Sequence, residues 1–284
     1  MSQAQPLTLR STLPLRGGGK LPVLGLGTWL AAAGGEARCA VAEALRQGYA
    51  LIDTAAMYQN EAEVGSAIAQ SGLPRPFVVT KLQPQEHGRE AALAAAARSA
   101  AALGGAPDLY LMHSPSGGRV VETWRAMLEA KAAGTVRACG VSNFGAAQLA
   151  ALAAAGLEAP EVNQIELHVF LQQRETAAYC AAQGIAVMAF CPLARCKKFG
   201  GGGELAAVAA AAGRSEAATM LRWALQRGLC VIPKSTNAAR IRENAGALDF
   251  ELSAGDMARL DALDEGFAVS KAQEAMQRPW EEVA

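Results

Sequence analysis

Short apolar runs rich in Val, Ile, Leu and Phe alternate along the chain with longer segments whose apolar positions recur at helical spacing. Gly, Pro, Asp or Asn marks nearly every boundary between them, as is typical of turns. Eight of the apolar runs predict strands: Val23–Thr28, Tyr49–Asp53, Phe77–Lys81, Leu109–His113, Val136–Val141, Glu161–Gln164, Ile185–Phe190 and Cys230–Pro233.

The segments between these runs predict helices. They are Glu36–Gln47, Glu61–Gln70, Arg89–Leu103, Val120–Ala133, Ala146–Ala155, Arg174–Gln183 and Ala217–Arg227. Regular alternation of this kind predicts an α/β fold whose parallel strands are joined by right-handed crossovers. Eight such units close into a (β/α)8 TIM barrel or form a long doubly wound sheet, and buried apolar strands fit both.

Two glycine-containing segments bear on that choice. Gly25 and Gly27 begin a GxGxxG pattern, but Leu30 takes the place of its third glycine, so a Rossmann fingerprint is missing and the barrel is the better prediction. The segment 14–21 is not a phosphate loop either, because Pro14 and Leu21 stand where a Walker motif needs Gly and Ser or Thr.

An N-terminal hairpin precedes the first unit. Its predicted arms are Leu7–Leu15 and Leu21–Gly25, and the glycines of the segment 16–20 supply the turn. We expect one barrel domain over residues 1–284, with the hairpin and first strand at 7–25 and a C-terminal tail or loop at 266–284 over the active-site face. The four-glycine run that begins at Gly200 predicts a flexible loop.

Charge and cysteine content narrow the function classes. The 26 Lys and Arg residues balance the 26 Asp and Glu residues, so no basic field exists to hold nucleic acid or anionic lipid. The six cysteines are scattered and lack the spacing of a zinc site, which predicts reduced thiols and no metal. With no signal peptide and no long apolar stretch in the sequence, we expect a cytoplasmic protein that binds neither nucleic acid nor membrane, and a monomer.

Polar side chains stand at the predicted strand ends, where a parallel barrel collects its chemistry. Asp53, Lys81 and His113 end the second, third and fourth strands, which lie roughly 4.8 Å apart in a simple barrel. Tyr58 follows Asp53 by five residues and can turn back over them. An ammonium beside a phenol favours the phenolate, which predicts a lowered pKa for Tyr58 as a proton donor. The alternative is a structural Asp–Lys pair with an incidental Tyr and His, and the grouping of all four at matched strand ends favours a functional site.

With these residues in place, the sequence closely resembles the aldo-keto reductases. The resemblance spans almost the whole chain, and its motifs are GLGTW (25–29), LIDTAAMYQNEAEVG (51–65), VVTKL (78–82), DLYLMHSP (108–115), GVSNF (140–144), VNQIELH (162–168), FCPLA (190–194) and IPKS (232–235). It implies a (β/α)8 barrel that reduces aldehydes or ketones to alcohols with NADPH, of the alcohol dehydrogenase (NADP⁺) or aldehyde reductase type.

The resemblance also implies roles for single residues. Tyr58 matches the proton donor, Asp53 and Lys81 match the pair that tunes it, and His113 matches the residue that orients the carbonyl. Cofactor contacts are implied for Gly27, Thr28, Trp29, Asp53, Ser142, Asn143, Gln164, Phe190, Cys191, Leu193, Lys234, Ser235, Thr236, Arg240, Glu243 and Asn244. Within this set, Ser142, Asn143 and Gln164 match the ligands of the nicotinamide carboxamide.

Substrate contacts are implied for Trp29, Tyr58, His113 and Ser114. Ser114 and Gln83 stand where many family members carry Trp, and the connection 191–203 is short and Gly-rich. We therefore expect an open, permissive pocket whose remaining aromatic wall is Trp29, without a large clamp over the cofactor. The tail is a candidate mobile lid, and Trp280 within it either reaches the site or packs outside the barrel.

Two other functions fit the same residues. One is an NADPH-binding regulatory subunit on the same fold with little turnover. The other is an unrelated barrel enzyme, such as a phosphate-binding isomerase in which Lys234 and the following helix hold a substrate phosphate. NADPH binding would exclude the second function, and carbonyl reduction would exclude the first.

Overall fold

A computed structural model of the chain describes residues 6–32 and 34–276. Its strands are β1 (Thr12–Pro14), β2 (Lys20–Pro22), β3 (Leu26–Gly27), β4 (Leu51–Asp53), β5 (Phe77–Leu82), β6 (Leu109–Met112), β7 (Cys139–Ser142), β8 (Val162–Glu166), β9 (Ala186–Phe190) and β10 (Cys230–Val231). The strands β3 to β10 form one parallel sheet in chain order.

This sheet closes on itself. Leu24 forms a parallel bridge with Val231, and Gly27 forms one with Lys234, so the first strand of the sheet pairs with the last. At Gly27 a side chain would meet the carbonyl of Ile232 at 2.9 Å, which explains why glycine stands where the two strands meet. The predicted TIM barrel is confirmed, and all eight predicted strands are found, most with shortened ends.

The helices surround the barrel. They are α1 (Glu36–Arg46), α2 (Glu61–Gln70), α3 (Arg89–Ala102), α4 (Val120–Ala132), α5 (Ala146–Ala154), α6 (Arg174–Ala182), α7 (Gly203–Ala211), α8 (Glu216–Gln226), α9 (Ala238–Ala245), α10 (Ala254–Asp261) and α11 (Ala272–Met276). Helices α7, α9, α10 and α11 add to the seven that the apolar pattern predicts. Of the predicted glycine loop, Gly203 belongs to α7, and the Gly200 amide donates to the carboxylate of Glu216 at 3.0 Å.

Two apolar layers hold these elements together. The larger lies between the sheet and the helices and includes Trp124 and Trp223, both fully buried. A smaller layer fills the barrel interior, where Leu51 and Leu111 pack with Leu21 of the hairpin. A filled interior of this kind makes the barrel a packed core, which leaves the strand ends as the place for a ligand.

The predicted N-terminal hairpin is confirmed as β1 and β2, with shorter arms than the apolar pattern suggests. Gly18 in its turn has a φ of 85°, a conformation that glycine adopts without strain. The amide of Gly17 donates to both carboxylate oxygens of Glu161, at 3.1 and 2.9 Å, just before β8. The hairpin therefore covers the end of the barrel at which the strands begin.

The segment that follows α10 lies against the opposite end of the barrel. The amide of Phe267 donates to the carbonyl of Phe170 at 2.9 Å, and Lys198 forms an ion pair of 2.7 Å with Glu265. These contacts place the described part of the predicted tail, residues 266–276, at the active-site end of the barrel; residues 277–284, with Trp280, lie outside the described part of the chain. None of the helices in the described ranges has the length and apolar character needed to span a bilayer.

Candidate active site

A cavity of about 460 Å³ opens at the carboxyl ends of the barrel strands. This is the end at which parallel barrels carry their chemistry, because the βα loops bring residues from different strands to one face. Twelve of the predicted site residues line it: Gly27, Trp29, Asp53, Tyr58, His113, Ser142, Asn143, Gln164, Phe190, Cys191, Leu193 and Lys234. Lys81 lies directly beneath and reaches it through Asp53 and Tyr58.

Lys81 and Asp53 form a buried ion pair. The ammonium of Lys81 lies 2.7 Å from the Oδ1 atom of Asp53 and donates to the carbonyl of Thr54 at 2.8 Å. Parallel pairing of β4 with β5 brings these two strand ends side by side. Burial alone opposes the charge on Lys81, but the neighbouring Asp53 and Tyr58 outweigh it and raise the pKa of Lys81.

Tyr58 ends a short 3-10 turn, Ala56–Tyr58, that follows β4. Its hydroxyl lies 3.3 Å from the Lys81 ammonium, and the ammonium also lies 4.9 Å from the centre of the phenol ring. Asn60 fixes this loop: it is buried, accepts from Thr54 at 2.6 Å, and donates to the carbonyls of Thr28 and Ala31 at 3.0 and 3.1 Å. The loop therefore returns over the strand ends as the sequence predicts.

The pKa of Tyr58 departs from the prediction. Burial raises the pKa of the phenol by more than the Lys81 ammonium lowers it, and Asp53 adds to the increase. The prediction of a lowered pKa was wrong because it counted the neighbouring charge and left out desolvation. The consequence is a neutral phenol at neutral pH, which is the form that can donate a proton.

His113 follows β6, and its ring meets that of Tyr58 edge to face with centroids 5.8 Å apart. Burial and the Lys81 charge lower the pKa of His113 to about 3, so its imidazole is neutral at neutral pH. The Nδ1 atom is buried and has no hydrogen-bond partner among the described residues. The backbone carbonyl of His113 accepts from Asn143 at 2.8 Å.

A polar row joins the ends of β7 and β8. Ser142 donates to the carbonyl of Gln164 at 2.8 Å, and the Gln164 amide donates to the second carboxylate oxygen of Asp53 at 2.7 Å. Asn143 has a φ of 62°, a left-handed conformation that asparagine tolerates well. Its Oδ1 atom is buried and lacks a hydrogen-bond partner within the described ranges, although the residue lines the cavity. An unused acceptor at this place suits a ligand that brings an N–H group.

Other predicted residues lie outside the cavity. Thr28 donates its hydroxyl to the carbonyl of Asp53 at 3.0 Å, and the Ser114 hydroxyl accepts from the amide of Ser116 at 3.2 Å. Past β10, Ser235 is buried and Thr236 is half-buried. The other predicted cofactor residues belong to α9, where Arg240 and Glu243 are exposed and Asn244 is buried.

Several cavity residues were missed by the sequence analysis. Arg195 stands out, since its guanidinium lies 4.5 Å from the centre of the Trp29 ring. The connection after β9 therefore contacts Trp29, which follows β3, at the cavity. This connection contains three consecutive residues in the left-handed conformation, Ala194, Arg195 and Cys196, with φ values of 48°, 51° and 57°. The hydrophobic periodicity of the sequence gives no signal for such a turn. The missed residues are Leu30, Met57, Pro192, Arg195, Cys196, Ile232, Pro233 and Ser270.

A family model, the Aldo/keto reductase family, matches residues 23–265. The chain belongs to this family. Aldo-keto reductases are oxidoreductases that use NADP(H). Among similar proteins, glyoxal reductase of Bacillus subtilis is 40% identical over 91% of this chain and 95% of its own length. Morphine 6-dehydrogenase of Pseudomonas putida is 40% identical over 90% and 92% of the two chains.

Solved structures of aldo-keto reductases share the fold. One from Bombyx mori, determined in complex with NADP, superposes with a TM-score of 0.87 at 34% identity over 95% of this chain and 97% of that one. One from Brucella melitensis gives 0.85 at 40% identity over 89% and 99%. This family assignment excludes the unrelated phosphate-binding barrel. Within residues 6–32 and 34–276, no three His, Cys, Asp or Glu side chains gather as a metal site would require.

Proposed function

We propose that this aldo-keto reductase reduces aldehydes or ketones to alcohols with NADPH and that Tyr58 is the proton donor. The observation that supports this best is the position of the Lys81 ammonium, 2.7 Å from Asp53 and 3.3 Å from the Tyr58 hydroxyl beneath the cavity. A structural ion pair alone would not need a phenol within reach of its ammonium.

The residues of the site fit a nicotinamide cofactor. The unused Oδ1 acceptor of Asn143 suits the carboxamide N–H, and Ser142 and Gln164 border the same place. The ring of Phe190 lies on the cavity wall, where it would stack on the nicotinamide. We assign the adenosine 2′-phosphate to Lys234, Ser235, Thr236 and Arg240, and the adenine to Glu243 and Asn244. The remaining contacts fall to Gly27, Thr28, Trp29, Cys191 and Leu193.

A bound NADPH would supply the hydride for reduction of the carbonyl carbon. Tyr58 donates its proton to the carbonyl oxygen, which leaves a phenolate. The Lys81 ammonium stabilises that phenolate, and Asp53 keeps the ammonium charged and directed toward it. Neutral His113, edge to face with the phenol, lines the place where the carbonyl oxygen must lie.

The apolar rim favours carbonyl compounds with an apolar body. Trp29, Leu30 and Met57 line the cavity and are 36%, 68% and 45% exposed, so their side chains are available to a substrate. One relative is a glyoxal reductase, so the small dicarbonyl glyoxal is a suitable substrate against which to compare carbonyl compounds with an apolar body.

The test is the loss of NADPH absorbance with a panel of aldehydes, ketones and keto-sugars that includes glyoxal. We expect turnover with several members of the panel. NADPH binding without reduction of any of them would instead favour the regulatory subunit.

A further inference from the structure

A second buried carboxylate lies at the end of β8. Strand residues two positions apart face the same side of a sheet, so Glu166 faces the same side as Gln164, which contacts Asp53. Glu166 is 0% exposed and pairs in register with Phe190 of β9, a residue of the cavity wall. No motif of the sequence assigns this carboxylate a role.

Its partners come from the end of the chain. Glu166 accepts from the amide of Val269 at 2.6 Å, and from the amide and hydroxyl of Ser270 at 2.9 and 2.6 Å. The Nε2 atom of His168 lies 3.3 Å from the Oε1 atom of Glu166, the oxygen that also accepts from Val269. Burial opposes the charge, but the hydrogen bonds from His168, Ser270 and Val269 outweigh it and lower the pKa of Glu166. The carboxylate is therefore ionised at neutral pH.

Ser270 connects this cluster to the site because it also lines the cavity. Further contacts hold the segment on both sides of it: Phe267 donates to Phe170, and Gln148 donates to the carbonyl of Ala275 at 2.9 Å. An ionised carboxylate is costly to bury unless its lone pairs are satisfied, and here two backbone amides and a hydroxyl satisfy them. Those bonds fix the position of two consecutive residues, which apolar packing alone does not do.

We propose that Glu166 is a positioning residue for the carbonyl substrate: it holds Val269 and Ser270 in place, and so fixes the part of the cavity wall that Ser270 forms. This inference rests on the proposed reductase function. Because the wall is preformed, the substrate does not have to order it on binding. The entropic cost of binding is therefore smaller, and substrate affinity is higher.

The chain offers a matched control at the other end of the same strand. Glu161 is also buried, and it accepts two hydrogen bonds from the amide of Gly17 in the hairpin, away from the cavity. Glu161→Gln thus weakens an equivalent anchor of the other terminal segment. Ser270→Ala removes one bond to Glu166 and leaves the two backbone bonds in place.

The experiment compares these three variants with the wild type by steady-state kinetics, NADPH titration and amide hydrogen exchange of residues 266–271. For Glu166→Gln we expect a KM for carbonyl substrate raised about tenfold, the effect of one charge-assisted hydrogen bond, and exchange faster by a similar factor. The kcat and the Kd for NADPH should change less than about twofold. Ser270→Ala should raise KM by a smaller factor, and Glu161→Gln should leave KM unchanged.

An unchanged KM in both Glu166→Gln and Ser270→Ala would overturn the proposal, and so would an equal rise in Glu161→Gln, which would indicate a general loss of stability. If Glu166→Gln does not fold, Ser270→Ala alone decides between a raised and an unchanged KM. If the wild type reduces no carbonyl compound, the reductase function fails, and unchanged exchange in Glu166→Gln would separately refute the anchoring.

Discussion

The Nζ atom of Lys81 lies 2.7 Å from the Oδ1 atom of Asp53, and the two side chains are 0% and 3% exposed. Each charge would be costly to bury alone, because neither can be hydrated there. The ion pair therefore serves both stability and function. It offsets the cost of burying the Lys81 ammonium, and it holds that charge beside the Tyr58 hydroxyl.

The first prediction concerns this pair. Lys81→Met and Asp53→Asn should each lower the free energy of unfolding by about 3–5 kcal/mol, because each leaves a buried charge without its partner. The double variant should lose less than the sum of the two. Urea unfolding of the four proteins measures this coupling, and strictly additive losses would show that the ion pair contributes nothing specific.

The second prediction concerns pH and His113. The folded-state pKa of about 3 lies below the ordinary value of 6.5, so between these values the unfolded chain binds the proton that the folded chain excludes. Stability from this residue is complete above pH 6.5 and is lost as the pH falls toward 3. Between pH 7 and 4.5 the loss should be about 2 kcal/mol larger for the wild type than for His113→Gln, as measured by urea unfolding. Equal losses in the two proteins would contradict a buried neutral imidazole.

The third prediction concerns the choice of cofactor. Arg240 is exposed on α9, with its amide bonded to Asn237, and Lys234 is exposed after β10. Two cations suit a phosphate dianion. Arg240→Ala should therefore weaken NADPH binding about tenfold and leave NADH binding nearly unchanged. Fluorescence titration with both nucleotides gives the ratio, and a ratio equal to that of the wild type would remove Arg240 from the phosphate site.

Much of the fold and of the site can be predicted from short stretches of sequence. The apolar runs mark the strands, and the polar residue after each run reaches the same face because parallel strands all end there. The meeting of Asp53, Lys81 and His113 can therefore be predicted from the sequence alone. The hairpin, too, could be located from the glycines of the segment 16–20 and the apolar residues around them.

What escaped prediction depends on contacts between distant parts of the chain. Glu166 meets Ser270 across 104 residues, and Arg195 covers Trp29 through an irregular turn that has no periodic signature. The direction of the Tyr58 pKa was missed for a related reason, since desolvation depends on how completely the fold covers the phenol. The sequence predicts which charged groups lie close to one another, but it does not predict how much water remains in contact with each of them.

The most direct test of the central claim is Tyr58→Phe, studied by NADPH titration and by carbonyl-dependent NADPH consumption. This variant keeps the ring against His113 and removes only the hydroxyl that lies 3.3 Å from Lys81. We predict NADPH affinity within about twofold of the wild type and turnover reduced at least about a thousandfold, near the middle of the range for general acid–base catalysis. A Phe variant that reduces carbonyl compounds at a rate close to that of the wild type would contradict the assignment of Tyr58 as the proton donor.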